Sequence, residues 1–254
     1  MKLLLTTLLL LFSAVFAYAG DVNITAEQKV EWHQKEQKMV AVGNAVATRD
    51  DMNIKSDTLI GYYKPGRGES KGKISRVEAK GNVRMHSDKA DAFGYNLDYD
   101  LDKDTAVLLG KPAKIKTDGE TITAEESITY YPSQQKAVAL GNVEGIDKDG
   151  NHIYSDKMIA YFIKGKDGSS NLTLDKVDIF GNVKIVTKDT TVTADKGTYL
   201  PQSGLVKLFD NIIINQDGNL LRGDKAETNL NTGISKLLAG SAKGRVKGVF
   251  KEKK

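Results

Sequence analysis

The amino-acid sequence predicts an all-β protein made of stacked strand-turn-strand repeats. Three observations support this fold class. A Gly-Asn pair recurs between short apolar stretches, as in KVDIFGNVKIV at 176–186. Apolar residues alternate with polar ones on both sides of the pair, which is the period of a half-buried strand. No segment combines a sustained 3.6-residue apolar period with helix caps.

The Gly-Asn pair and its variants define seven turns along the chain. They lie at Gly43-Asn44, Gly81-Asn82, Gly110-Lys111, Gly141-Asn142, Gly181-Asn182, Asp210-Asn211 and Gly240-Ser241. The steps between them are 38, 29, 31, 40, 29 and 30 residues. The two long steps contain the Gly-rich inserts 64–73 and 164–171, which are typical of loops. A period of about 30 residues indicates a stacked array. One long step followed by two short steps occurs twice. We therefore predict an internal duplication with its boundary near residue 140.

A second signature follows the turns and reads apolar, any residue, small, acidic. Ile54-Lys55-Ser56-Asp57 and Val192-Thr193-Ala194-Asp195 are two examples. Gly followed by Asn is suited to positive φ, so each pair predicts either a tight turn or a bulge that bends a strand.

The alternation assigns one set of residues to an inward apolar face. Its members are Met39, Ala41, Ile54, Leu59, Val77, Val83, Met85, Leu97, Leu108, Ile122, Ile153, Met158, Val177, Ile179, Val183, Ile185, Val192, Leu208, Ile212 and Ile214. Tyr95 and Tyr99 are predicted to face the same way. The set is rich in small residues for a sealed core, which favours an interior that is lined rather than filled.

The N-terminus has the layout of a secretory signal peptide at residues 1–19. Lys2 precedes an apolar run of about 14 residues, and Ala17-Tyr18-Ala19 supplies small residues near the predicted cleavage site at Ala19. The run is shorter than the roughly 20 residues needed to span a bilayer. The expected product is an exported domain over residues 20–246, followed by a basic tail at 247–254.

Composition narrows the function classes. The formal net charge of +4 is spread along the chain, so nothing indicates nucleic-acid binding. There is no cysteine, so disulfides cannot stabilise the fold. The basic tail is either a solvated end or a contact for an anionic partner.

No catalytic or metal-binding motif is present. His33, His86 and His152 share no spacing and are predicted to be single surface residues. The segments 98–104 and 147–151 are acidic, but they lack the glycine and glutamate positions of a complete calcium loop. We therefore predict no enzyme activity, no cofactor and no metal.

Several segments, in this order, resemble the OstA-like (LptA) family of periplasmic lipopolysaccharide-transport bridge proteins. They are VEWHQKEQKMVAVGN from Val30, the GNV turns, GKPAKI from Gly110, SDKMIAYF from Ser155 and ISKLLAGSAKGRVKGVF from Ile234. The resemblance covers nearly the whole mature chain. This chain has more turns than the smaller family members.

The resemblance implies an elongated, slightly twisted β-jellyroll, open at both ends, in the periplasm. It implies that the inward apolar face binds the acyl chains of lipopolysaccharide (LPS), with the LPS phosphates at the lip. Implied partners are LPS, further copies of the chain head to tail, and LptC-like inner-membrane and LptD-like outer-membrane jellyrolls. Open strand edges independently favour head-to-tail pairing.

The main alternative is a structural β-solenoid, or a β-helix that binds or degrades polysaccharide in the periplasm. Such an enzyme would need a carboxylate cluster on one face, which the sequence does not show. A membrane-anchored relative would retain its N-terminal helix. An outer-membrane translocon fragment would be followed by a barrel-length sequence.

Overall fold

The computed structural model describes residues 22–49, 52–66, 73–88, 90–164, 172–216, 218–229, 232, 234–239 and 245–249. Every regular element in these ranges is a β-strand, which confirms the predicted fold class. The strands are β1 (Asn23–Thr25), β2 (Lys29–His33), β3 (Lys38–Arg49), β4 (Met52–Lys64), β5 (Lys73–Ser87), β6 (Ala90–Asp100), β7 (Thr105–Leu109), β8 (Ala113–Thr117), β9 (Thr121–Ala124), β10 (Ser127–Tyr131), β11 (Lys136–Ile146), β12 (His152–Lys164), β13 (Leu172–Val186), β14 (Thr190–Leu200), β15 (Leu205–Gln216), β16 (Asn219–Asn229), β17 (Ile234–Leu238) and β18 (Lys247–Val249). The signal peptide, most of both inserts and the end of the basic tail lie outside the described residues.

The strands form two compact units. Among the described residues, the first unit comprises 22–118 and 124–137, and the second comprises 119–123 and 138–249. In the first unit, β1 and β2 both pair with β3, and β3 to β6 pair in chain order. β6 then pairs with both β7 and β8, and β10 pairs with β7.

The second unit also pairs consecutive long strands in chain order. β9 pairs with β11, β12 to β16 pair in chain order, and β17 and β18 both pair with β16. All of these pairings are antiparallel. A parallel β-helix, the fold that the alternative function required, is therefore wrong for this chain.

The Gly-Asn pairs are β-bulges inside long strands rather than hairpin turns. At Gly81 and Asn82, φ is 75° and 50°. The pairing of β5 with β6 jumps from Lys80↔Asn96 to Val83↔Gly94, so two residues oppose one. Positive φ recurs at Gly43-Asn44, Gly141-Asn142, Gly181-Asn182 and Asp210-Asn211. Each pair therefore bends its strand at the bulge.

The acidic residue of the second signature holds the next bulge. Asn82 Nδ2 donates to Asp57 Oδ2 at 3.0 Å, and Asn182 donates to Asp156 at the same distance. The pair Asn211 and Asp195 is separated by 2.7 Å. We call this contact the Asn–carboxylate clasp. It explains physically why the two sequence signatures recur together.

The third turn departs from this pattern. At Gly110-Lys111 neither residue has positive φ, the Lys111-Pro112 bond is cis, and the strand is interrupted between β7 and β8. In the strand pairing, Tyr95 occupies the position where Asp57 stands in its repeat. At this turn Lys111 therefore replaces the asparagine of the clasp, and Tyr95 replaces its acidic residue. The seventh turn, Gly240-Ser241, lies outside the described residues.

Replacing Gly81 with alanine is expected to destabilise the first unit by about 1–3 kcal/mol, the cost typical of an unfavourable backbone conformation. A Cβ at Gly81 would overlap the Asp57 carboxylate, and φ would remain positive. Gly61→Ala is the matched control, because its Cβ would contact nothing within 4 Å. Urea unfolding should show a clear loss for Gly81→Ala only. Equal losses would contradict the clasp geometry.

Candidate functional site

Inward side chains form continuous rows across the strands of the first unit. Each row links residues that are direct partners on neighbouring strands, and most members are apolar. One row is Ala41, Leu59, Ala79, Leu97, Leu108 and Ile128. A second is Met39, Gly61, Val77, Tyr99, Ala106 and Tyr130. A third, beyond the bulges, is Ala47, Ile54, Met85, Ala92 and Ile115.

The second unit has equivalent rows. One is Met158, Ile179, Gly197, Leu208, Ala226 and Leu237, and another is Ile153, Ile185, Val192, Ile214 and Leu221. We call the rows of each unit its apolar wall. The rows run across the strands, so the inward side of each unit is a continuous apolar surface from one strand to the next.

Both halves of β3 line one cavity in the first unit. Met39 and Ala41 precede the bulge, Ala47 and Arg49 follow it, and all four contact the same space. The cavity has a volume of about 50 Å³. The two halves of β3, on either side of the bend at Gly43-Asn44, therefore meet at one cavity.

The structure gives the burial of each predicted inward residue. All are buried except four that are half-buried: Met39, Ile185, Val192 and Ile214. Their role in binding a ligand stays a prediction. The assignment of Tyr95 to the inward face was wrong, since its side chain is 67 % exposed. Tyr95 lies opposite the Gly81-Asn82 bulge, where the pairing skips it and reverses the alternation.

Three buried tyrosines add hydroxyl groups to the walls. Tyr99 and Tyr130 are cross-strand neighbours through Ala106 in the first unit, and Tyr199 pairs with Val177 in the second. Burial raises the pKa of all three hydroxyls, that of Tyr199 to about 12 with the Glu120 carboxylate adding to the rise. They are therefore uncharged at neutral pH and add no negative charge to the walls.

Charged side chains occupy the opposite, outer face and many are paired there. The Arg76 guanidinium donates twice to Asp98, through Nε at 2.7 Å and Nη2 at 2.6 Å. Lys176 Nζ lies 2.7 Å from Asp178, and Lys196 Nζ lies 2.9 Å from Asp210. The Arg76–Asp98 and Lys196–Asp210 contacts link neighbouring strands on the solvent-facing side, and the Lys176–Asp178 contact lies within β13.

The histidines are surface residues, but each lies beside a carboxylate. His86 Nδ1 is 2.6 Å from Asp91, His152 Nδ1 is 2.8 Å from Glu144, and His33 Nε2 is 3.2 Å from Glu31. Within the described ranges, no three His, Cys, Asp or Glu side chains are grouped to hold a metal ion. In the same part of the chain, no helix has the length and apolar character of a membrane span.

The apolar wall of the first unit continues to an exposed end. Val30 and Trp32 on β2 pair with Ala41 and Met39, so they extend two inward rows by one strand. Both are exposed, at 49 % and 66 %. The Trp32 indole donates to the Tyr63 hydroxyl at 2.5 Å and packs edge-on against its ring.

Comparison with known proteins places the chain in a family. The model of the family described as LptA/(LptD N-terminal domain) LPS transport protein matches twice, over residues 23–136 and 127–234. No curated protein sequence matches the chain at a significant level.

One solved structure with a detectable match is LptH of Pseudomonas aeruginosa, described as the LptA homologous periplasmic component of the lipopolysaccharide transport device. The two chains are 12 % identical, and the match covers 91 % of this chain and 96 % of LptH. The TM-score is 0.23, so this likeness carries no argument about function or fold. The two family matches alone span most of the sequence, and the chain belongs to the LptA/LptD N-terminal family of LPS transport proteins.

Proposed function

We propose that this chain is a periplasmic protein that binds LPS by sheltering its acyl chains against the apolar walls. The observation that carries the proposal is the set of apolar cross-strand rows. Family membership supports the same substrate. The signal-peptide pattern at residues 1–19 supports export.

The energetics favour acyl chains as the bound part of the ligand. Burying a methylene group contributes about 0.8 kcal/mol, so a chain of about 12 carbons would gain roughly 9 kcal/mol before the costs of ordering. The walls offer apolar contact along successive strands rather than one deep pocket. A lipid could therefore move from row to row while exchanging similar contacts.

We further propose that copies stack end to end and meet LptC-like and LptD-like jellyrolls at the bridge termini. Val30 and Trp32 leave the inward rows of the first unit exposed at β2. Towards the C-terminus, β17 and β18 pair with β16. Within the described residues, no other strand pairs with the outer edges of β17 and β18, so these edges could accept a strand of another copy. Strand addition at such edges would extend the apolar wall from one copy to the next.

The two units are proposed to be tandem modules of one ancestral domain. The family model matches each half once. The clasps Asp57–Asn82 and Asp156–Asn182 have the same geometry. Register shifts also fall at equivalent places, after Lys80 in β5 and after Phe180 in β13.

Intact LPS is expected to bind the mature chain, and the same LPS stripped of its acyl chains is expected neither to bind nor to compete. Without acyl chains, the ligand has few apolar groups that could pack against the apolar walls. Equilibrium binding in about 1 M salt is the suitable measurement, because contacts between exposed charges are largely screened there. Equal affinity for the stripped glycan would instead support polysaccharide binding.

A further inference from the structure

The exposed strands β2 and β17 end equivalent rows of the two units. In the first unit, Val30 on β2 belongs to the row that contains Ala79, which lies two positions before a bulge glycine. In the second unit, Leu237 on β17 belongs to the row that contains Ile179, which also lies two positions before a bulge glycine. Val30 and Leu237 therefore occupy the same level, counted from the line of bulges.

The short strands β1 and β18 end a second pair of equivalent rows. Ile24 on β1 belongs to the row of Met85. Gly248 on β18 belongs to the row of Ile185. Met85 and Ile185 each follow a bulge glycine by four positions. A sheet that continued from one copy to the next with its bulges in line would therefore join both pairs of rows at once.

The outer face next to the β17 edge carries charges of alternating sign. Lys207, Glu227 and Lys236 are direct partners on β15, β16 and β17. Lys207 Nζ lies 4.0 Å from the Glu227 carboxylate, and Lys236 is exposed. Because neighbouring strands are antiparallel, joining the two rows places Lys236 opposite Glu31 of the next copy. The alternation of charge would then continue across the junction.

We propose that Lys236 of one copy forms an ion pair with Glu31 of the next copy, and that this contact fixes the register in which β17 pairs with β2. The inference rests on the proposed stacking and adds to it the residues that determine specificity. A slip of two residues in either direction would also keep inward side chains inward, so the apolar rows alone do not exclude it. After such a slip, Glu31 would face Ile234 or Leu238 instead of a cation.

Glu31 can accept this further contact. Its Oε1 lies 2.9 Å from Lys29 Nζ, and its Oε2 lies 3.2 Å from His33 Nε2. Each carboxylate oxygen has a second lone pair, so both contacts can persist beside a new one. The Glu31 side chain is 42 % exposed, which leaves it accessible to an approaching lysine. Opposite charges directly across two strands attract, whereas like charges there destabilise the pairing.

Charge reversal tests the ion pair. Glu31→Lys and Lys236→Glu should each weaken self-association of the full mature chain on the order of 5-fold, because each change places like charges opposite each other. An equimolar mixture of the two variants should recover the association of the unmodified chain, because junctions between them again join opposite charges. Glu36→Lys is the matched control, since Glu36 is exposed after the end of β2 and its replacement changes net charge equally. Sedimentation should show this control associating like the unmodified chain.

Cysteine cross-linking tests the register, because the chain has no cysteine of its own. Leu237→Cys in one chain and Val30→Cys in another should form a disulfide on mild oxidation, since directly opposed Cβ atoms are about 4.5–5.5 Å apart. Trp32→Cys is the control for a slip of two residues. In the proposed register it is a diagonal neighbour at about 7–8 Å, so it should react little with Leu237→Cys.

Preferential cross-linking of Leu237→Cys to Trp32→Cys would overturn the proposal. Charge variants that associate like the unmodified chain would overturn it too, as would a loss that the mixture does not recover. If the unmodified chain forms no oligomers, the proposed stacking itself fails, whereas oligomers that cross-link in another register contradict this inference alone.

Discussion

Chains carrying Val30→Lys and Trp32→Lys are expected to stay monomeric at concentrations where the unmodified chain forms oligomers. Both side chains end inward rows at the exposed strand β2, so a lysine there would place charge in the apolar part of a junction. Burying an unpaired charge costs several kcal/mol, enough to abolish a modest interface. Because both residues are exposed, the fold of the chain itself should tolerate the change. Sedimentation at several concentrations measures the result.

The exposed strand β17 of the second unit gives the complementary variant. Leu237 on β17 ends an inward row of the second unit, where it pairs with Ala226. Leu237→Lys is expected to block that end alone. Head-to-tail contact is heterologous, so each variant retains one competent end. Mixing the two should give 1:1 dimers that grow no further.

Phe180→Lys is the control for added charge on an exposed apolar residue. Phe180 lies on β13, within the sheet, and is 40 % exposed. This variant should oligomerise like the unmodified chain. Dimers formed by either end variant alone would indicate head-to-head contact and contradict the stacking proposal.

The sequence alone predicted the strands and the inward face because both depend on local rules. Alternation fixes which side chains share a face, and Gly-Asn fixes where positive φ occurs. Val183 and Ile185 on β13 therefore lie where the repeat placed them, buried and half-buried. The rule failed at Tyr95, where the bulge on the neighbouring strand changed the register.

Features that depend on contacts between distant residues could not be predicted from the sequence alone. The clasp joins Asp57 to Asn82, 25 positions apart, and only the pairing of β4 with β5 brings them together. Arg49 also lacked a distinguishing signal in the sequence, although the structure buries it beside the cavity. Tyr130 also lacked a distinguishing signal, because its burial depends on the row that it joins through Ala106.

The proposed lipid path is tested most directly by photo-crosslinking at neighbouring positions of one strand. Ile185 faces the apolar wall of the second unit, whereas Lys184 is exposed on the outer face near the Tyr154 ring. A weaker contrast exists on β9, where Ile122 is buried and its neighbour Thr123 is half-buried.

A photoreactive residue at Ile185 or Ile122 is predicted to capture LPS in cells that make it, and one at Lys184 or Thr123 is predicted to capture little or none. Adjacent residues of a strand point to opposite faces, so each pair differs in face and hardly in position. Comparable LPS labelling at Ile185 and Lys184 would contradict the claim that the apolar wall is the path.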